Sequence, residues 1–257
     1  MFAIEAHHLR KRFGSKTAVE DLSLSVRYGE ILGFLGPNGA GKTTTLKMLT
    51  GLLPPDSGEA RVAGFDVVRQ PLEVKRRIGV VPESGALYAH LTAAEYLQWV
   101  ATLHRLPQDA AEERAARLLE LFDLTDVRHQ RMTGYSKGMR KKVLLAAALL
   151  PNPDVLFLDE PLEGLDVHAV RVVKDLLRQL AAVGKTIFLC SHILEVVERL
   201  CTHVVVLHRG RKLLDRPLPA LLEELGAESL EEAFHRWTGT GETGSIAQEV
   251  LRALERP

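Results

Sequence analysis

Residues 36–43 read Gly36-Pro37-Asn38-Gly39-Ala40-Gly41-Lys42-Thr43, the pattern G-x-x-x-x-G-K-[ST]. Glycines at this spacing let the backbone curl so that successive N–H groups point inward, a nest for phosphate oxygens. The stretch from Thr43 and Thr44 to Gly51 has helical spacing. A helix beginning near Gly41 presents unpaired N–H groups and its positive dipole end to the same anion. Lys42 is placed to set an ammonium between the β- and γ-phosphates, and Thr43 to supply a hydroxyl to Mg²⁺. The pattern predicts a site for the phosphates of a nucleotide.

Such a site needs an acidic strand for the metal. Val155-Leu156-Phe157-Leu158-Asp159 ends a buried hydrophobic strand on an aspartate, placed to hold Mg²⁺ directly or through water. Glu160 follows at once, a second carboxylate suited to orienting and polarising an attacking water. Of ten histidines, only His192, just after another strand-like run, stands where such chemistry is expected. It is expected to donate to the γ-phosphate and stabilise charge developing in transfer.

The elements that must carry these groups are legible in outline. Leu22, Leu24 and Val26, separated by serines, predict a half-buried strand before the turn at Tyr28-Gly29-Glu30. Ile31 to Leu35 is apolar on both faces, as a central parallel strand should be. Thr92-Ala93-Ala94-Glu95 is a capping-box pattern opening a helix to about His104. Asp109 is expected to cap a second helix, with Leu118, Leu119 and Phe122 on one face. A third helix is predicted from about Lys137 to Leu150, and a fourth from about Val167 to Val183. Thr186 to Cys190 and Val204 to Leu207 read as buried strands. After Arg209-Gly210 the tail reads as helical and charged, with Ser229 an N-cap and Thr238 to Ser245 a linker before a last short helix. The alternation predicts one parallel α/β layer with a helical block inserted between its early and late strands.

Composition sets the limits. The 257 residues are 46% hydrophobic, enough for a substantial core, and Lys plus Arg balance Asp plus Glu at 33 each. A zero net charge argues against a protein whose main task is coating DNA. The two cysteines, Cys190 and Cys201, form no CxxC pair and are expected to be small buried residues. The longest apolar run, Val143 to Leu150, is far short of the roughly 18 residues that span a bilayer, and the start of the chain lacks a secretory pattern. A soluble, cytosolic chain is expected. Two basic clusters, Lys75-Arg76-Arg77 and Arg140-Lys141-Lys142, are expected to be solvated faces, and Trp99 and Trp237 packing anchors.

Further patterns, in a characteristic order from about Phe2 to Leu214, make the chain resemble the ATP-binding subunits of ABC transporters. Tyr135-Ser136-Lys137-Gly138-Met139 is similar to the family signature Leu-Ser-Gly-Gly-Gln, in the tyrosine-serine-lysine-glycine-methionine version of a subset of bacterial exporters. Pro161 to Asp166 is similar to the D-loop, Ser191-His192 to the switch histidine, and Phe13 to an aromatic that stacks on adenine. Where the family usually has Gln, Val80-Val81-Pro82-Glu83 carries a glutamate whose carboxylate still suits Mg²⁺ or the water.

The resemblance implies an α/β fold: a P-loop NTPase core with a mixed or parallel sheet, an N-terminal antiparallel β subdomain and an inserted α-helical subdomain. It implies an ATPase domain over 1–215, with the insertion at about 84–150, and a helical extension over 216–257. ATP and Mg²⁺ are the implied cofactors. Glu160, His192, Lys42 and Glu83 are the implied catalytic groups, and Thr43, Asp159 and Glu83 the metal ligands. The nucleotide would lie against Phe13, the loop from Gly36 through Thr44, and Ser136 and Gly138 of a second, head-to-tail copy. The partner would be a separate integral membrane permease docked on the insertion, driving substrate export and keeping the chain at the inner face of the cell membrane. A soluble relative acting on ribosomes or nucleic acid is the alternative, but such relatives usually carry two cassettes or a long coiled-coil insertion. A nucleotide-gated switch without turnover would not need both Glu160 and His192.

Overall fold

The computed structural model describes residues 1–84, 87–226 and 229–239. The chain opens with strands β1 (Phe2–Phe13), β2 (Lys16–Arg27) and β3 (Ile31–Leu35), then helix α1 (Lys42–Leu49). Strands β4 (Ser57–Val62) and β5 (Phe65–Asp66), helix α2 (Pro71–Arg77) and strand β6 (Ile78–Val81) follow. Three helices come next: α3 (Ala93–Leu103), α4 (Gln108–Leu121) and α5 (Lys137–Leu149). The alternation resumes with β7 (Val155–Asp159), α6 (Val167–Ala182), β8 (Thr186–Cys190), α7 (Leu194–Leu200) and β9 (His203–His208). Strand β10 (Arg211–Pro217) and helices α8 (Leu218–Leu225) and α9 (Leu230–Thr238) end the described chain.

The strands form two sheets. An antiparallel one has the order β2-β1-β4-β5, and a larger one the order β10-β9-β3-β8-β7-β6. In the larger sheet only β10 runs antiparallel to its neighbour. Every residue of β3, β7 and β8 is buried, which explains their unbroken apolar runs: both faces are covered.

Two cores lie on opposite faces of that sheet. Successive side chains of a strand point to opposite sides. Thus Leu156 and Leu158 of β7 and Ile187 and Leu189 of β8 join the core beneath α3, α4 and α5. Phe157 and Phe188 join Phe34 in the core shared with the antiparallel sheet and α1, their rings 4.9 Å and 5.4 Å apart. This double burial clamps the ends of the central strands, from which the chemically interesting residues project.

Most expected elements are present. Leu22, Leu24 and Val26 are buried along β2, and the Thr92 capping box opens α3. Ser229 caps α9 through a second capping box, and Cys190 and Cys201 are both buried. Trp237 packs partly buried against the core.

Other expectations fail. Asp109 does not cap α4; Pro107 holds the N-cap position with φ −56°, and Asp109 sits in the first turn, where a carboxylate faces the helix dipole. The segment after Gly210 is not immediately helical, because Arg211–Pro217 pairs with β9 as an edge strand. Thr238 belongs to α9, which ends at Gly239, rather than to a linker; the remainder of the linker and the last short helix lie outside the described residues. Trp99 is 40% exposed, set edge-on to Tyr88 at 4.9 Å instead of anchoring a core.

The two basic clusters also part company. Lys75, Arg76 and Arg77 are exposed as expected. By contrast, Arg140 donates to the carbonyls of Met132 and Thr133, Lys142 pairs with Asp166 at 3.4 Å, and Lys141 is only 2% exposed. The first turns of α5 are wedged among loops, so these positions do not form a solvated face.

Candidate functional site

Between β3 and α1 the chain makes the glycine-rich loop read from sequence. Gly41 is the N-cap of α1 with φ 111°, a left-handed conformation that glycine adopts without strain. A Cβ there would lie 2.4 Å from the Ala18 carbonyl oxygen, so the position excludes any side chain. No side chain caps α1, which leaves its first N–H groups facing outward with the dipole. Lys42 is buried, and its ammonium donates to the carbonyls of Gly36 at 2.6 Å and Pro37 at 3.2 Å. Ala40 is buried beneath the loop, its carbonyl accepting from the Gly210 amide at 2.9 Å; the Gly210 carbonyl in turn accepts from the Glu20 amide at 2.9 Å.

The acidic groups arrive from the neighbouring strand ends. Asp159 closes β7 and lies level with Cys190, the last residue of β8. The Glu160 amide therefore donates to the Cys190 carbonyl at 3.0 Å, and Ser191 and His192 emerge beside Glu160. His192 Nδ1 lies 2.8 Å from Glu160 Oε1, and Ser191 Oγ donates to Glu160 Oε2 at 3.3 Å. Both carboxylate oxygens of Glu160 are thus held. Glu160 also adopts φ 49°, a left-handed conformation uncommon for a residue with a side chain, and it does so at the point of chemical interest.

Asp159 is 3% exposed and accepts from Thr43 Oγ1 at 3.1 Å. Burial holds its carboxyl above the ordinary carboxylate range, the Thr43 hydrogen bond pulls it down, and the nearby Glu83 and Glu160 charges raise it further. A buried carboxylate among other carboxylates is poised to gain from a cation.

These groups line one cleft of about 670 Å³. Phe13, Glu83, Asp159, Glu160 and His192 border it together with Gly36, Pro37, Asn38, Gly39, Gly41, Lys42, Thr43 and Thr44. The Phe13 ring, 52% exposed, stands at the end of β1. Lys16, Ala18, Glu163, Ser191, Leu194 and Phe234 also line the cleft and were not anticipated. Ser191 had a signal, its adjacency to His192. Phe234 had none: it comes from α9, which packs on α7, more than 40 residues after His192 in sequence.

Ser136 and Gly138 do not line the cleft of their own chain. Ser136 caps α5, its hydroxyl accepting from the Met139 amide at 3.2 Å. A Cβ at Gly138 would lie 2.6 Å from the Gly164 carbonyl oxygen, so the start of α5 rests on the 161–166 loop at backbone contact. Lys137 lays its stem over Gly164 and donates to Glu163 Oε1 at 2.6 Å.

The donors fit a hard cation. Thr43, Asp159 and Glu83 offer only oxygens, as Mg²⁺ prefers. Among the described residues no group of three or more His, Cys, Asp or Glu is arranged to hold a metal ion. Mg²⁺ needs no such cage when substrate phosphates complete its shell.

Known proteins resemble this chain in sequence and in fold. A protein-family model described as ABC transporter matches residues 19–163. The chain is 42% identical over 219 residues to the ABC transporter ATP-binding protein NatA of Bacillus subtilis (strain 168), covering 84% of this chain and 89% of that protein. A solved ATP-binding subunit of an ABC transporter superposes with a TM-score of 0.86 at 32% identity, covering 91% of this chain and 99% of the other. The fold is shared as well by a dimeric ATP-binding cassette in a post-hydrolysis state bound to ADP and Pi, with a TM-score of 0.77 at 24% identity, covering 84% of this chain and 98% of the other.

Proposed function

The chain belongs to the ABC transporter family, and from that premise we propose that it is the ATP-binding, ATP-hydrolysing subunit of an exporter, working as a head-to-tail pair on a separate membrane permease. One observation carries the hydrolytic part: the phosphate loop, Asp159 and the Glu160–His192 contact of 2.8 Å converge on one cleft.

The residues divide the work as follows. The N–H groups of the loop from Gly36 through Thr44 cradle the phosphates, with the start of α1 adding its dipole. Lys42 turns its ammonium from the Gly36 and Pro37 carbonyls to the β- and γ-phosphate oxygens. Phe13 stacks on adenine at the cleft mouth. Thr43, Asp159 and Glu83 would hold Mg²⁺, which when bound would supply positive charge to offset that of the phosphates. Glu160 orients the attacking water and accepts a hydrogen bond from it. His192 holds the other face of that carboxylate and donates toward the γ-phosphate, where charge develops.

The signature residues find their use in a second copy. Ser136 and Gly138 lie away from their own cleft, so in a head-to-tail pair the Ser136 turn of one copy caps the nucleotide of the other. The nucleotide then joins the two subunits, and its hydrolysis lets them part. Among the described residues no helix is long and apolar enough to cross a membrane. Transport therefore falls to a permease, which holds this chain at the inner face of the cell membrane. We assign the ATPase domain to residues 1–215, with the insertion at about 84–150 receiving the permease, and a C-terminal extension to 216–257. Action on ribosomes or nucleic acid is not favoured, since relatives matching most of the chain carry transporter names.

The test is Glu160→Gln. ATP binding is expected to survive, hydrolysis to fall by at least ~10²-fold, and a dimer to accumulate on a sizing column with ATP and Mg²⁺. A variant that stays strictly monomeric under those conditions sinks the head-to-tail reading.

A further inference from the structure

Helix α5 bears three lysines in its first two turns, and between them they reach two loops. Lys137 pairs with Glu163 at 2.6 Å and Lys142 with Asp166 at 3.4 Å. Both partners lie on the 161–166 loop. Lys141 turns the other way, its ammonium 3.3 Å from the Pro82 carbonyl and 3.4 Å from the Glu83 carbonyl.

Lys141 is the odd one. It is 2% exposed, among the largest fully buried side chains of the molecule. Burying an ammonium costs several kcal/mol after relaxation, and only good partners offset that cost. Two long contacts to backbone carbonyls are modest partners. An apolar side chain of the same volume would pack there at lower cost. Stability therefore does not account for a lysine here, and its location supplies another reason.

The carbonyls it holds belong to the segment that brings Glu83 to the cleft, where Glu83 itself is exposed. Five residues back along α5 stands Ser136. The same helix start presses on the 161–166 loop, through Gly138 against Gly164 and Lys137 against Glu163, and Glu163 lines the cleft too. The first turns of α5 are thus gripped from two sides by loops that border their own chain's nucleotide site.

We propose that Lys141 is a positioning residue that makes the Pro82–Glu83 segment and the Ser136 turn move as one piece. This rests on the head-to-tail reading, in which Glu83 serves one nucleotide and Ser136 the other. Through Lys141, occupancy of one cleft sets the position of the cap on its twin. Neither Lys141 nor its carbonyl partners contact the reacting atoms; the residue acts through what it holds.

The experiment uses the whole chain with Lys141→Met, which keeps volume and removes the ammonium, and Lys141→Arg, which restores donors. Steady-state ATPase is measured against ATP concentration, and binding is measured with a fluorescent ATP analogue. The unaltered chain is expected to show a Hill coefficient above one. Lys141→Met is expected to lower kcat about 10-fold, within the usual range for coupling between sites, and to bring the Hill coefficient to about one. Analogue binding should stay within about 2-fold of the unaltered chain, because the cradle is untouched. Lys141→Arg should recover most of the cooperativity.

Full kcat and cooperativity in Lys141→Met overturn the proposal. So does a loss of analogue binding that parallels the loss of kcat, which would mark Lys141 as part of the cradle instead. If Lys141→Met shows no cooperative thermal transition, Lys141→Gln carries the same expectations. Glu160→Gln separates the layers: if it dimerises with ATP while Lys141→Met behaves like the unaltered chain, only this proposal fails. If it stays monomeric, the head-to-tail reading fails and this proposal with it.

Discussion

Helices α1 and α5 both start beside a glycine, yet they start in opposite ways. At α1 the N-cap is Gly41 with φ 111°, and no side chain caps the helix. At α5 the N-cap is Ser136 with φ −63° and ψ 165°, and its hydroxyl accepts from the Met139 amide. Orphan N–H groups at a helix start must find a partner. In α1 they are left for a ligand; in α5 one is satisfied from within. The difference separates a cradle complete in a single chain from a cap that stands finished but away from any phosphate of its own. Because the Ser136 oxygen spends a lone pair on the helix, its proton remains to be donated outward.

The sharpest way to break this contrast is Lys42→Ala. It removes the one ammonium at the uncapped start and should cost turnover at least ~10²-fold, as lost electrostatic donors do. Phosphate release in the steady state checks it, and near-normal turnover would remove the distinction drawn for α1. Ser136→Ala tests the other end of the contrast. Losing an N-cap should lower ligand-free stability by about 1 kcal/mol and slow turnover roughly 10-fold, about what one lost hydrogen bond to a charged group is worth. Urea unfolding beside an ATPase assay reads both, and unchanged stability would mean that the hydroxyl is no cap in solution.

The smallest effect is expected to be a gain. Burial raises the Asp159 carboxyl above its ordinary 3.8, so the native state binds more protons there than the unfolded chain. Stability then falls as pH rises through the interval above 3.8, and a neutral isostere is spared that loss. Ligand-free Asp159→Asn should therefore melt higher than the unaltered chain at neutral pH. The gain should shrink to nothing below the ordinary value, where both states are protonated. Calorimetry from about pH 3 to about pH 8 decides it, and a lower melting point at neutral pH would contradict the sign.

What was readable in advance followed from distance along the chain. The loop from Gly36, the acid at Asp159 and the Thr92 and Ser229 capping boxes are set by neighbours within a few residues, so their spacing announces them. Strand β10 was missed because Arg211–Pro217 is charged, ends in proline and alternates weakly; only pairing with β9 makes it a strand. Lys141 was read as solvated because it sits among basic residues, while its burial comes from loops some 60 positions away. The place of Phe234 beside the cleft likewise depends on α9 docking against α7. Strand β7 shows both sides of the lesson: its apolar run was plain, but the contact between Glu160 and His192 exists only because β7 and β8 end level.

Gly210 gives the molecule a rivet. Its amide is fastened to Ala40 within the anion cradle and its carbonyl to Glu20 of β2, so the small sheet is seamed to the large one at the very spot a triphosphate would stiffen. Free energy released by a ligand that favours the folded state is shared by whatever must stay folded to hold it. Gripping the phosphates therefore also sews down β2.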